Sequence, residues 1–320
     1  MIQAEYVGLD VAKDKFDVSL QVNNRYKQLV YSNDLKGHTK FARWLIQNIP
    51  SAWVCMEATG HYSEGIADFL IQKGIKVSVV NPYQIKNFAK ASLARNKNDI
   101  IDSRVIRAFC ACMQPREYVA SPKEQKQLKG LMKVLDMLKG QLVQVNNQLH
   151  SLHEEAARNI LIKLVVHLEK EITQIECEMA QLIDNERFLK EKMTLITSIK
   201  GVGKLTAYRV LALMPNVSCF QSAKQFAAYI GITPKQHQSG KFIGKTTISR
   251  LGDSRLRKAL YMAALVAKRH NKGLAAFVLR LQQNGKTPKT IVCAVMRKLA
   301  HIIFGVLKSG MPFNENFSCI

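Results

Sequence analysis

Four acidic residues in the N-terminal third have the types and spacing of a metal-assisted phosphoryl-transfer site. Asp10 ends the apolar run in "GLDVAK", Glu57 ends that in "CMEATGHY", and Asp99 and Asp102 lie three residues apart in "NKNDIIDSRVIRAF". That spacing puts both carboxylates on one face of a helix starting near Asp99. Magnesium and manganese prefer carboxylate oxygens, and two such ions can drive phosphoryl transfer. Singly, Asp99 could instead cap the helix and Asp10 could begin a turn.

A serine in the basic stretch "GITPKQHQSGKFIGKTTISR" is the second candidate for chemistry. Ser239 precedes Gly240 and follows His237 by two positions, in a segment rich in Lys and free of acids. Its hydroxyl could bind a phosphate or attack one, and the residues alone favour binding. Spacing identifies no base for a nucleophile. His237 and a metal-bound carboxylate from elsewhere are both candidates.

Two further segments predict contacts with a nucleic-acid backbone. In "ITSIKGVGKLTAYRVLALM", two glycines separate an apolar helix end from a new helix, which is typical of a helix–hairpin–helix motif or of a plain glycine turn. Glycines let the backbone approach a phosphate, and the N–H groups of a helix start bind anions. From Lys235 to Gly273, ten Lys or Arg stand against one acid, Asp253. The predicted nucleic-acid-binding residues are Gly201, Gly203, Lys204, Lys241, Lys245, Arg250, Arg255 and Arg257.

The elements that must position the acids are short strands and helices over residues 1–115. Three β-branched runs, "EYVGLDVA", "KFDVSLQV" and "NNRYKQLVYS", come first, and the turn "AKDK" makes the first two a hairpin. Helix "LKGHTKFARWLIQNI", strand "AWVCMEA", helix "SEGIADFLIQKG" and strand "IKVSVVNP" follow. This order predicts an α/β domain, with one mixed sheet and helices packed on it.

Residues 123–190 change to a heptad pattern. Apolar residues recur in steps of three and four from Leu128 to Leu152 and again from Leu161 to Leu182, with "HEEAARN" as a possible turn between them. The segment is a helical hairpin, a longer helix that pairs with another subunit, or two ordinary amphipathic helices. Its regularity favours a coiled coil that multimerises the chain as a dimer or tetramer. Residues 195–310 predict a compact, mostly helical domain, followed by a loosely held tail at 311–320.

The composition points to a nucleic-acid partner. The chain has 320 residues, 47% of them apolar, and a net charge of +23. Such charge opposes compaction unless a polyanion neutralises part of it. No apolar run reaches bilayer-spanning length and the N-terminus lacks a signal-peptide pattern, so a cytoplasmic protein with no membrane partner is expected. The seven scattered cysteines, with no CxxC pair, are expected to be reduced and mostly buried.

Taken in order, these motifs resemble the transposases of the IS110 insertion-sequence family. "GLDVAKDKFDV", "CMEATGHY" and "NKNDIIDSRVI" resemble its DEDD acidic set. "SIKGVGKLTAYRVLA" and "FAAYIGITPKQHQSGKFIGKTTISRLGDSRLRKALYMAA" resemble its C-terminal transposase domain. The resemblance implies a ribonuclease H-like (RuvC-like) N-terminal domain with magnesium on Asp10, Glu57, Asp99 and Asp102, and the carboxylate ligands also suit manganese. It implies that Ser239 attacks DNA and forms a covalent phosphoserine link.

The resemblance also implies partners. Members act on donor and target DNA as multimers, with the metal site and the serine supplied by different subunits, and use a structured bridge RNA from the element's ends. Here "HQSG" carries one serine where many relatives carry two. The expected function is DNA transposition. A site-specific invertase of the same family, a RuvC-like junction nuclease without a covalent intermediate, and a catalytically silent DNA-binding protein are the alternatives.

Overall fold

The structure, a computed structural model, describes residues 5–22, 25–93, 98–214, 216–236, 238–239, 242–244 and 246–314. The chain forms two compact units, Met1–Ala120 and Ser121–Ile320. Two of the predicted nucleic-acid-binding residues, Lys241 and Lys245, lie outside the described residues, as do His237 and Gly240.

A five-stranded mixed sheet, ordered β3-β2-β1-β4-β5, forms the centre of the first unit. Its strands are β1 (Glu5–Val11), β2 (Lys15–Val22), β3 (Arg25–Ser32), β4 (Ala52–Glu57) and β5 (Lys76–Val80). The first three strands are antiparallel neighbours, whereas β4 runs parallel to both β1 and β5. The predicted mixed sheet is confirmed, and it is consistent with a ribonuclease H-like domain.

Helices cover both faces of this sheet. They are α1 (Leu35–Asn48), α2 (His61–Gln72), α3 (Pro82–Ala91) and α4 (Asp99–Met113). On one face Val7 and Leu9 of β1 pack with Phe41 of α1 and Ile66 of α2. On the other face the side chains of β4 pack against α3 and α4. Because side chains alternate along a strand, Asp10 and Glu57 share this second face with α4.

The second unit is mostly helical. Its helices are α5 (Lys123–Ser151), α6 (Glu155–Asn185), α7 (Arg187–Thr197), α8 (Lys204–Leu213), α9 (Ala223–Ile230), α10 (Ser254–His270), α11 (Ala275–Gln283) and α12 (Pro288–Ser309). Four two-residue strands form two antiparallel pairs, β6 (Pro234–Lys235) with β9 (Thr247–Ile248), and β7 (Gln238–Ser239) with β8 (Phe242–Ile243). Because the β7–β8 pair lies between β6 and β9 along the chain, the four strands follow the order of a single hairpin.

The heptad segment pairs with itself as an antiparallel helical hairpin. Lys139 of α5 lies 2.7 Å from Glu176 of α6, and Arg158 donates to the carbonyls of Leu149 and Leu152 beside the turn. The break between the helices covers residues 152–154, so most of the predicted turn "HEEAARN" is helical. Buried residues of the hairpin share one core with the C-terminal helices. The coiled coil and the boundaries at 190 and 195 stay predictions.

Two expectations from composition are wrong. α12 is long and apolar enough to cross a bilayer by length and composition, contrary to the expectation that no such segment exists. Since 61% of its most apolar 18-residue stretch is buried inside the second unit, we interpret α12 as the core helix of that unit. Of the six described cysteines only Cys55 and Cys110 are buried, so the expectation of mostly buried thiols fails.

Candidate active site and nucleic-acid surfaces

The four predicted acids approach one edge of the sheet in the first unit. Asp10 lies near the end of β1, and Glu57 is the last residue of the parallel neighbour β4. The register pairs Leu9 with Met56, so these two acids follow in adjacent positions. Asn98 caps α4 by accepting the N–H of Ile101, which starts the helix at Asp99 and puts both of its acids in the first turn.

A glycine in β1 lets α4 come this close. A Cβ on Gly8 would lie 2.1 Å from the carbonyl oxygen of Ser103 and 2.4 Å from the backbone nitrogen of Arg107. No side chain fits there without moving the helix. Gly8 lies two residues before Asp10 on the same face of the strand. Because Gly8 has no side chain, α4 can pack close to β1, and its first turn with Asp99 and Asp102 lies near the acids of the sheet.

The carboxylates act on one another electrostatically. The pKa of Asp10 rises from 3.8 to about 6, first because the group is partly buried and then because of repulsion from Asp102, Asp99, Glu57 and Asp17. Like charges disfavour ionisation when they share a site. The structure thus brings the other three predicted acids, Glu57, Asp99 and Asp102, close enough to Asp10 to raise its pKa. Ser239 belongs to the second unit and is not part of this cluster.

Two residues of the cluster are absent from the sequence prediction. Asp17 of β2 stands directly opposite Asp10 in the ladder, so both side chains lie on the same face. Lys15 places its Nζ 2.9 Å from Asp17 and 2.8 Å from Asp99. The hydrogen bond from Lys15 lowers the pKa of Asp99, and the same contact raises the pKa of Lys15. Hairpin register was the signal that could have found Asp17.

The donor set suits a divalent cation. Among the described residues, no group of three acidic, histidine or cysteine side chains is arranged to share an ion. The cluster nevertheless consists of carboxylate oxygens, the preferred ligands of hard cations. Its excess negative charge, visible in the raised pKa of Asp10, is what a bound cation would neutralise. The chemistry of these side chains is therefore that of hard-cation ligands, although the described side chains do not form a three-ligand site.

Ser239 lies on strand β7 of the second unit, and both residues of that strand are exposed. It pairs with Phe242, and Gln238 pairs with Ile243. The side chain of Ser239 is exposed, so a substrate as large as a nucleic acid can reach its hydroxyl. Of the two bases considered from the sequence, His237 falls outside the described residues.

The glycine turn before α8 divides into a packed half and an open half. Gly201 has φ 99°, and a Cβ there would lie 2.7 Å from the backbone of Ala267 in α10, so packing explains this glycine. Gly203 is exposed, and a Cβ on it would meet no described atom within 4 Å. α8 begins at Lys204 with no acid in its first turn. An anion could bind at Gly203 and Lys204, and the helix–hairpin–helix motif stays a prediction.

The predicted arginines differ in their surroundings. Arg255 forms a 2.8 Å ion pair with Asp253, the N-cap of α10. Burial opposes ionisation of Asp253, but the hydrogen bonds from Arg255 and Leu256 outweigh it and leave its pKa below the ordinary value. Arg257 donates to the carbonyls of Ile230 and Gly252, so it holds the loop before α10. The remaining described arginine of the set, Arg250, is exposed.

Comparison with known proteins identifies the family. Residues 7–156, which include the four acids, match the IS110-group DEDD transposase model, and residues 193–279, which include Ser239, match the "Transposase IS116/IS110/IS902 family". The chain is 32% identical to the pilin gene-inverting protein of Moraxella lacunata over 97% of this chain and 98% of the relative. The chain belongs to the IS110 family. It is therefore a DNA-cleaving and rejoining enzyme, a transposase or an invertase.

Other relatives of this IS110-family protein are named as transposases. It is 26% identical to the transposase for insertion sequence element IS1328 of Yersinia enterocolitica, over 97% of this chain and 98% of the relative. It is also 26% identical to the transposase for element IS1111A of Coxiella burnetii, over 85% of this chain and 80% of the relative. DNA is thus a partner of the family. DEDD enzymes of this kind generally use a divalent metal.

Proposed function

We propose that this IS110-family recombinase is an insertion-sequence transposase that cuts and rejoins DNA through a covalent link between Ser239 and a DNA phosphate, with help from magnesium at the acidic cluster. The observation that carries the proposal is the convergence of four carboxylates on Asp10, which α4 and Gly8 bring about. Bringing repelling carboxylates together is unfavourable, so their convergence favours a site that binds a cation over a purely structural cluster.

The acidic cluster would hold magnesium, or manganese, on Asp10, Glu57, Asp99 and Asp102. When bound, the ion supplies charge stabilisation for phosphoryl transfer. Asp10 and Glu57 stand on adjacent strands of a sheet, which fixes their positions, whereas Asp99 and Asp102 move with α4. Lys15 neutralises Asp17 and Asp99, which limits the negative charge that faces a DNA phosphate.

Ser239 would supply the nucleophile. Its Oγ forms a bond to phosphorus while one P–O ester bond of the DNA strand breaks, and the serine proton ends on the departing DNA oxygen as a hydroxyl. Rejoining reverses the exchange with the hydroxyl of another strand, so the phosphate-ester bonds are conserved and no energy-rich cofactor is needed. The exposure of Ser239 supports this role.

The partners proposed are donor DNA, target DNA, a structured guide RNA and further copies of the chain, in the cytoplasm and without a membrane. The net charge of +23 supports binding to several nucleic-acid strands through phosphates. If RNA pairing selects the DNA sequence, the protein needs to recognise only backbone and shape. Exposed Lys204 and Arg250 suit that kind of contact.

A second candidate function is inversion of a DNA segment. It is favoured by the 32% identity to the pilin gene-inverting protein, against 26% for the two transposases. The chemistry proposed for Ser239 and the acidic cluster is the same in both cases. Only the arrangement of the recombination sites on the DNA differs.

A denaturing gel tests the proposed chemistry. The full chain is incubated with magnesium and labelled DNA from the region flanking its gene, with and without RNA transcribed from that region. We expect a protease-sensitive protein–DNA adduct in the unmodified chain and a reduction on the order of 1,000-fold in Ser239→Ala, because the nucleophile is gone. Ser218→Ala, which removes another exposed hydroxyl of the second unit, is the matched control and retains the adduct.

The other outcomes separate the alternatives. Free DNA ends without an adduct would indicate a metal-dependent junction nuclease. Binding without magnesium-dependent cleavage would indicate a silent DNA-binding protein. An adduct that persists in Ser239→Ala would show that the nucleophile is another residue. Sequencing of the joined products distinguishes an inserted element from an inverted segment.

A further inference from the structure

A cavity of about 510 Å³ lies beside the β6–β9 pair of the second unit. Its walls come from that strand pair, from α11 at Phe277 and from one side of α12. Its volume falls within the range of about 300–1,000 Å³ typical of small-ligand sites. The acidic cluster and Ser239 are not part of it, and apart from Arg250 none of its basic residues belongs to the predicted nucleic-acid set.

The cavity concentrates positive charge. Its basic residues are Arg250, Lys289, Arg297 and Lys298, and none of the described residues lining it is acidic. Lys289, Arg297 and His301 are spaced by eight and four residues, so they follow one side of α12. The other sides of α12 are buried in the core. Four cations in one concavity repel one another, and an anionic ligand would relieve this repulsion.

A histidine in the wall has an unsatisfied polar atom. Among the described residues, buried Nε2 of His301 has no hydrogen-bond partner. Burial, and then the charges of Arg297, Lys298 and Lys224, lower the pKa of His301, so the ring is neutral near pH 7. A neutral imidazole can donate to or accept from a polar ligand. Phe277 of α11 adds an aromatic surface to the cavity.

We propose that this cavity binds one unpaired nucleotide of a nucleic-acid strand, with its phosphate on Arg297, Lys298 and Lys289 and its base against Phe277. Positive charge beside an aromatic ring is the combination that binds single strands, because every base has a face that can stack. A concave site of this volume admits a single nucleotide and excludes a double helix. The inference rests on the proposed function only in taking nucleic acid as the ligand.

The hairpin that lines the cavity also carries Ser239. Pro234 of β6 lines the cavity, and five residues later the chain reaches Ser239. Five residues span at most about 18 Å. A strand held in the cavity is thus held within a few nucleotides of the proposed nucleophile. The site would position the strand that Ser239 attacks, or an RNA strand beside it.

Binding measurements on the full chain test the site. Fluorescence anisotropy with labelled 12-nucleotide single strands, one DNA and one RNA of the same sequence, gives the affinities and their salt dependence. We expect Arg297→Gln/Lys298→Gln to bind at least about tenfold more weakly, with a slope of log affinity against log salt that is smaller by about 1.4, since two phosphate contacts are lost. The matched control, Lys286→Gln/Lys308→Gln, removes two exposed cations of the same unit that lie outside both the cavity and the basic segment 235–273, and it changes affinity less than threefold.

Two further variants isolate the contacts. Phe277→Leu keeps the apolar volume and removes the aromatic ring, so we expect about five- to tenfold weaker binding with an unchanged salt slope. Lys289→Gln changes an exposed residue of the first turn of α12, and it tests the phosphate contact should the double variant unfold. If the cavity variants lose more affinity for the DNA strand than for the RNA strand, the bound nucleotide comes from DNA. The opposite result identifies RNA as its source.

Several results would overturn the inference. Equal losses in the cavity variants and in the control would show that only overall charge matters. Competition by duplex DNA as strong as that by a single strand would exclude an unpaired nucleotide. If the unmodified chain forms no Ser239 adduct while the cavity variants lose single-strand binding as expected, the proposed chemistry fails and the cavity stands. If the adduct forms but the cavity variants bind normally, the cavity inference alone fails.

Discussion

Asp10 is the residue on which the acidic cluster converges, and its ionisation is linked to folding. Its pKa in the folded chain is about 6, against an ordinary value of 3.8, because burial and four neighbouring carboxylates disfavour its charge. Below pH 4 the group is protonated in both the folded and the unfolded chain and contributes nothing. Between pH 4 and 6 the folded state holds the proton longer, so stability falls as the pH rises. Above pH 6 the full penalty applies.

Asp10→Asn should therefore stabilise the metal-free chain at pH 7.5. The shift corresponds to at most ~3 kcal/mol, and because Asp10 is only partly buried, solvent screening reduces the expected gain in the free energy of unfolding to about 1 kcal/mol. The gain should vanish near pH 4. Urea unfolding followed by tryptophan fluorescence measures it in the full chain, because both tryptophans, Trp44 and Trp53, lie in the first unit.

The same unfolding measurement, repeated with magnesium, tests whether Asp10 is a metal ligand. Added magnesium should stabilise the unmodified chain at pH 7.5 more than it stabilises Asp10→Asn, because the variant lacks one carboxylate ligand. Asp14→Asn removes the same charge from the exposed β1–β2 turn and serves as the control, with no gain expected. A gain for Asp10→Asn that is equal at pH 4 and pH 7.5 would show that charge repulsion is not its cause.

At the scale of elements, the approach of α4 to β1 decides whether the acids meet. Gly8→Ala would put a Cβ 2.1 Å from the carbonyl of Ser103, and backbone atoms cannot move aside as a flexible side chain can. We expect α4 to shift and the first unit to lose about 1–3 kcal/mol or more of stability, as in overpacked cores. DNA cleavage should fall with it, since Asp99 and Asp102 move with the helix.

A matched glycine separates this effect from a general effect of glycine replacement. A Cβ added to Gly65 of α2 would lie 4.0 Å from Cε1 of His38 and closer to no other described atom beyond its chain neighbours and its own helix backbone. Gly65→Ala should leave cleavage intact and stabilise the helix by up to ~1 kcal/mol. Tryptophan fluorescence and the cleavage assay report both quantities. Similar losses in the two variants would show that the close contact at Gly8 has no special role.

Local patterns predicted the five strands and helices α1, α2 and α4 of the first unit, but they could not predict the contacts between elements. Alternating apolar residues identify β1 and β2, whereas the pairing of Asp10 with Asp17 depends on register. α3 carries signals that the sequence prediction did not use, namely the Asn81 cap and Pro82 in its first turn. Strands β6 to β9 have two residues each, too few to show a period. The packing of Gly201 on Ala267 joins residues 66 positions apart, so no local pattern reveals it.

At the scale of the whole molecule, the helical hairpin leaves apolar surface uncovered near its turn. The heptad residues at its base, such as Leu128, Leu135 and Met179, are fully buried by the core of the second unit. Near the turn, Leu149 and Leu161 are only half-buried. Since heptad residues are normally buried by a partner helix, we expect a second copy of the chain to cover this end.

Replacing exposed apolar residues of this end should dissociate the assembly without unfolding the subunit. Ile160 and Val166 of α6 are 68% and 62% exposed, so Ile160→Glu/Val166→Glu removes little buried apolar surface within the chain but buries two charges in any interface between copies at this end. Sedimentation should show a dimer or tetramer for the unmodified chain and a monomer for this variant, with equal thermal stability. Gln181→Glu/Asn185→Glu adds the same charge at exposed polar positions of α6 far from the turn and should still assemble. Identical sedimentation of all three proteins would rule out this end of the hairpin as the interface, because two charges placed there would have left an existing contact undisturbed.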